Sequence, residues 1–116
     1  MKPLEWIGSA REDLRAFPAP VRTVMGYALR VAQAGDKHAH AMPLEGFKSS
    51  GVLEVIDDYD GDTYRTVYTV RLSEAIFVLH AFQKKSKRGI KTPKRDIDLI
   101  NKRLKTAEDR NAALKD

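Results

Sequence analysis

Apolar and polar positions recur along the chain with two periods, and the run Ala75 to Phe82 departs from both. It is apolar except for His80 and closes abruptly on Gln83-Lys84-Lys85, which reads as a strand covered on both faces. Val21, Val24, Met25, Ala28, Leu29 and Ala32 instead recur at helical spacing, with Gly35 placed to end the helix. Before it, Ser9 to Glu12 has the spacing of a capping box and predicts a helix to about Phe17, burying Ala10, Leu14 and Phe17. Pro18-Ala19-Pro20 breaks the two helices into a hairpin that would lie across one sheet face.

The remaining pattern supplies the sheet and a last helix. Lys2 to Ile7 is a short strand, and Val52 to Asp57 and Tyr64 to Arg71 are two more, joined through an Asp60-Gly61 turn. With the Ala75 run they make a three-strand antiparallel meander. Asp36 to Ser50 reads as a polar connection. Thr92 reads as an N-cap with Pro93 in the first helical position, and Ile97, Ile100, Leu104 and Ala107 form the stripe of a C-terminal helix. Beyond Glu108 the chain is polar and is expected to fray. The whole is an α+β chain forming one domain over residues 1–116.

Composition narrows the chemistry. There is no cysteine, hence no disulfide framework and no thiolate ligand or nucleophile, and no apolar run approaches the roughly 18 residues of a membrane span. With no signal-like N-terminus, a cytoplasmic location is expected. Net charge is +5, but it is unevenly spread: residues 84–116 carry 12 Lys and Arg against 5 Asp and Glu. That asymmetry points to a polyanionic partner, nucleic acid before anionic membrane. His38 and His40 are read as loop residues rather than metal ligands, since only His80 could join them. The acidic cluster at Asp58 to Asp62 lacks the glycine and glutamate positions of a calcium loop. No metal or cofactor is expected.

Three segments, Gly61-Asp62-Thr63-Tyr64-Arg65-Thr66-Val67-Tyr68, Leu79-His80-Ala81-Phe82-Gln83-Lys84-Lys85-Ser86 and Thr92-Pro93-Lys94-Arg95-Asp96-Ile97, together resemble one family. It is the phage-derived, HigB-like branch of the RelE/ParE toxin superfamily, and the resemblance spans about Leu4 to Leu104. It implies a RelE-like fold and the toxin of a type II toxin–antitoxin pair, acting as a ribosome-dependent, metal-independent mRNA endoribonuclease. It also implies a helix-turn-helix antitoxin in complex with the toxin, with ribosome and mRNA as further partners. The ParE side of the superfamily inhibits gyrase without nuclease chemistry, and a plain nucleic-acid-binding module is a further alternative. The family often closes its first meander strand with an arginine; here Asp57 and Asp58 stand there.

RNA cleavage without metal needs a base for the 2′-hydroxyl, cations for the charged phosphorane and an acid for the 5′-oxygen. Arg65, His80, Lys84 and Lys85 are the candidates, Arg65 for bidentate phosphate binding and His80 for proton transfer. Tyr64, Tyr68 and Phe82 are candidates for stacking on bases. Lys48, Lys87, Arg88, Lys91, Lys94 and Arg95 would serve RNA or ribosome docking. By simple alternation His80 shares a face with Ile76, Val78, Phe82 and Lys84.

Overall fold

In the computed structural model, which describes residues 1–84 and 91–116, the elements follow the order β1 (Leu4–Trp6), α1 (Ala10–Arg15), α2 (Ala19–Gln33), β2 (Ala41–Pro43), β3 (Val52–Tyr59), β4 (Asp62–Thr69), β5 (Ile76–Lys84) and α3 (Lys94–Lys115). The architecture is α+β and compatible with a RelE-like fold. The five strands make one mixed sheet in the order β1-β5-β4-β3-β2. β5 pairs parallel with β1 on one edge and antiparallel with β4 on the other. Both its faces are covered, which is why Ile76 to Ala81 are buried without alternation.

The helical hairpin lies on one face. Leu14 and Phe17 join Val21, Met25 and Leu29 against Val55, Tyr64, Tyr68, Ile76 and Val78. α3 covers the other face, where Ile100 and Leu104 meet Val52, Val67, Phe77 and Leu79. The β3–β4 hairpin turns through Asp60 and Gly61, whose φ angles of 53° and 85° suit the two-residue turn that the Asp-Gly pair predicts. Gly35, at φ 93°, ends α2 with the Gly35 N–H donating to Ala32 O and the Asp36 N–H to Val31 O.

Several boundaries differ from the sequence reading. α1 is shorter, and Ser9 makes no capping bond; its hydroxyl donates to Asp13 instead, at 2.7 Å. The polar connection contains a strand, β2, which extends the meander at its outer edge. Thr92 is not the cap of α3, because its hydroxyl is drawn to Glu54, and Pro93 takes the N-cap position. The C-terminus does not fray at Glu108. The helix runs to Lys115, since Asn111 is buried and its Oδ1 accepts the Glu74 N–H at 2.8 Å. Among the described residues no helix is long and apolar enough to cross a membrane.

A register shift in the β4–β5 ladder changes the functional geometry. Val67 pairs with His80 and Tyr68 with Val78, so β5 carries an extra residue at Leu79. Beyond it the alternation changes phase. His80, Phe82 and Lys84 therefore lie on the α3 face and not with Ile76 and Val78, a correction to the simple alternation.

Tyr68 is wholly enclosed on the hairpin face, burial pushes its phenol up to about 12, and its hydroxyl meets no partner among the described residues. Tyr68→Phe is therefore expected to leave the unfolding free energy from urea denaturation unchanged or raise it by up to about 1–2 kcal/mol. A clear loss of stability would show that the hydroxyl is satisfied.

Candidate functional site

Three neighbouring strands bring charged groups onto the face covered by the start of α3. β3 contributes Glu54, β4 contributes Arg65, and β5 contributes His80 and Lys84. The Arg65 Nη1 donates to Glu54 Oε2 at 3.1 Å and to Thr92 Oγ1 at 3.3 Å. Thr92 Oγ1 in turn donates to Glu54 Oε2 at 3.1 Å. Arg65 is 1% exposed and Glu54 4%. A guanidinium at that depth needs a counter-charge, and Glu54 supplies it.

His80 sits beside this pair. Its Nε2 lies 2.7 Å from Oδ1 of Asp96, in the first turn of α3, and its ring stacks on Phe82 at 4.6 Å. The carboxylate fixes the ring's orientation with the proton on Nε2. Nδ1 is buried and meets no partner among the described residues. Arg103 Nη1 donates to Leu79 O at 2.9 Å, which anchors α3 where β5 carries its extra residue.

Lys84 is less enclosed. Its Nζ donates to Lys91 O at 2.6 Å. Burial lowers its pKa, the Arg65 charge lowers it further, and Glu54 partly opposes the shift. The arrangement thus combines an ammonium that gives up its proton more readily than free lysine with a guanidinium that adds fixed positive potential.

The other sequence-derived candidates are dispersed. Tyr64 is 7% exposed and meets Phe17 edge-on at 5.0 Å on the opposite face, its phenol raised by burial and then by Asp62 and Asp60. It borders a shallow cleft with Pro18, Ala81 and Gln83. Tyr68, read as a stacking residue, is corrected: its ring is 0% exposed and belongs to the core. Phe82 stacks on His80 and is half-buried. Lys91, Lys94 and Arg95 are exposed, Lys94 bridging to Asp98 at 2.9 Å. Lys85, Lys87 and Arg88, and the side chain of Lys48, lie outside the described residues.

Three partners escaped the sequence reading. Glu54 had a signal, a lone carboxylate inside Val52-Leu53-Glu54-Val55-Ile56, since an acid in an apolar strand needs a cation across the sheet. Thr92 and Asp96 had none, because only the docking of α3 brings them to β3 and β5. His38 meets both His40 and Tyr27 edge-on, and the described residues hold no group of three metal-ligating side chains.

Residues 12–105 match the family model described as phage derived protein Gp49-like. No curated protein and no solved structure matches the chain.

Proposed function

The chain belongs to the phage-derived Gp49-like family, a RelE-like toxin family whose membership implies an antitoxin partner, and on that premise we propose that it cleaves messenger RNA on the ribosome without metal. Within the family we place it on the HigB-like branch, with a helix-turn-helix antitoxin as its neutralising partner and the cytoplasm as its site of action.

The observation that carries this reading is Lys84: an amine of lowered pKa, held at the end of β5 where the sheet hands over to the cationic third of the chain. In the proposed reaction Lys84 takes the 2′-hydroxyl proton, the 2′-oxygen attacks the adjacent phosphorus, and the bond from phosphorus to the 5′-oxygen breaks, leaving a 2′,3′-cyclic phosphate and a 5′-hydroxyl that takes its proton from water. Arg65 is too enclosed to grip a phosphate directly and acts through its positive field. His80 has its ring enclosed by Asp96 and Phe82, so proton transfer is assigned to Lys84.

Inducing the chain in cells and mapping mRNA 5′ ends tests this. New ends inside translated frames are expected, and their absence removes the reading. The burial of Arg65 in an ion pair with Glu54 and of the His80 ring against Asp96 favours a second reading, a ParE-like inhibitor that acts by contact. That protein would leave mRNA intact and block gyrase supercoiling.

A further inference from the structure

Residues 91–96 cross the candidate site and meet Arg65, His80 and Lys84 in turn. Lys91 O accepts from the Lys84 Nζ at 2.6 Å, Thr92 Oγ1 accepts from the Arg65 Nη1 at 3.3 Å, and Asp96 Oδ1 lies 2.7 Å from the His80 Nε2. Thr92 also donates to Glu54 Oε2 at 3.1 Å. Polar contacts hold this segment, and apolar burial contributes little. Lys91, Pro93, Lys94 and Arg95 are exposed, Thr92 and Asp96 are half-buried, and the first buried residue of α3 is Ile100. Lys94 turns outward to Asp98. On the β2 side a groove of about 750 Å³, lined by Lys91 and Thr92 with Leu44, Glu45, Phe47 and Ile56, leaves the segment unpacked.

We propose that residues 91–96 are an autoinhibitory strap, which closes over the phosphate site in the resting protein and lifts about Ile97 to admit a substrate phosphate. The proposal rests on the toxin reading above and adds the regulation of its site. Apolar anchoring of α3 begins at half-buried Ile97 and buried Ile100, and Arg103 on Leu79 O reinforces it, so the helix stays docked while its first turn opens. Each polar contact of the strap shifts the closing equilibrium by only about two- to tenfold, because water replaces the lost partner when the segment lifts. A segment with so little apolar burial belongs to the low-stability end of a fold. Opening frees two donors for phosphate oxygens: Arg65 Nη1 loses the Thr92 hydroxyl, and Lys84 Nζ loses the Lys91 carbonyl. It also carries the Asp96 carboxylate away, so that Arg65 and Lys84 face a single remaining carboxylate, Glu54. Lys91 gives its carbonyl and not its ammonium to the closed site, so no cation is lost with it. A phosphate that binds only the open state pulls the strap open.

The test compares the wild-type chain with Thr92→Val, which keeps the branched shape and removes both hydroxyl bonds, and with Asp96→Ala, which releases His80. Brief acetylation with N-hydroxysuccinimidyl acetate, read by mass spectrometry, measures how freely Lys84 reacts, with exposed Lys102 on α3 as the internal reference. Labelling of Lys84 relative to Lys102 is expected to rise about tenfold in Thr92→Val and in the same direction in Asp96→Ala. Cleavage of mRNA on translating ribosomes should rise with it, since more of the protein stands open. A Lys84 rate unmoved in both variants overturns the strap. Faster labelling with slower cleavage also overturns it, because the segment would then belong to the active arrangement. Faster labelling with no cleavage by any of the three proteins upholds the closure and removes the nuclease reading.

Discussion

Glu54→Ala is expected to cost about 3–5 kcal/mol of folding free energy, because it strips the counter-charge from a guanidinium buried beneath α3. The carboxylate also accepts from Thr92, so the same change releases the residue that leads into α3. Urea unfolding followed by circular dichroism measures the loss. The informative comparison is the double variant Glu54→Leu with Arg65→Met. Removing both charges together avoids an unbalanced buried ion, and the pair is expected to recover most of the lost stability. A single variant as stable as the wild type would show that Arg65 is balanced by other groups. For the same reason Arg65→Ala is a poor test of chemistry: it removes a core ion pair, and lost toxicity would not distinguish mechanism from unfolding.

Lys84→Met carries the functional test. If Lys84 transfers the proton, the substitution is expected to lower mRNA cleavage by about 10²–10⁴-fold. The fold should tolerate it. Burial and Arg65 lower the lysine pKa, so folding disfavours the protonated form. Any stability gained from the neutral amine is present above the ordinary value of 10.5 and lost as pH falls through the folded-state value. At neutral pH the change therefore removes a disfavoured charge, against the loss of one hydrogen bond to Lys91 O. An unchanged unfolding midpoint with collapsed activity supports the assignment, and full cleavage by the variant refutes it. In the wild type, activity that needs the neutral amine should rise with pH and level off below 10.5, because the pKa is lowered.

Both experiments turn on neighbours that the sequence alone did not reveal. The composition fixes the asymmetry of charge, and periodicity fixes the helical hairpin, the meander, the Asp60-Gly61 turn and the stripe of α3. These are local or nearly local facts: each depends on residues within a few positions of one another, where backbone geometry sets which side chains share a face. β2 escaped because three residues containing a proline have too little pattern to read, and only pairing with β3 makes them a strand.

The candidate site needed the tertiary structure. One extra residue at Leu79 moves His80, Phe82 and Lys84 to the other face of the sheet, and no period in the sequence marks it. Arg65 was legible as a functional candidate, but its burial beside Glu54 was not, because the two meet only across β3 and β4. Thr92 and Asp96 reach Glu54 and His80 only once α3 has docked. The sequence by itself determined which groups this protein owns and which elements carry them. The tertiary structure decided which cation is buried in an ion pair and which amine stands nearer the surface, because burial and charge pairing depend on distances between segments far apart in the chain.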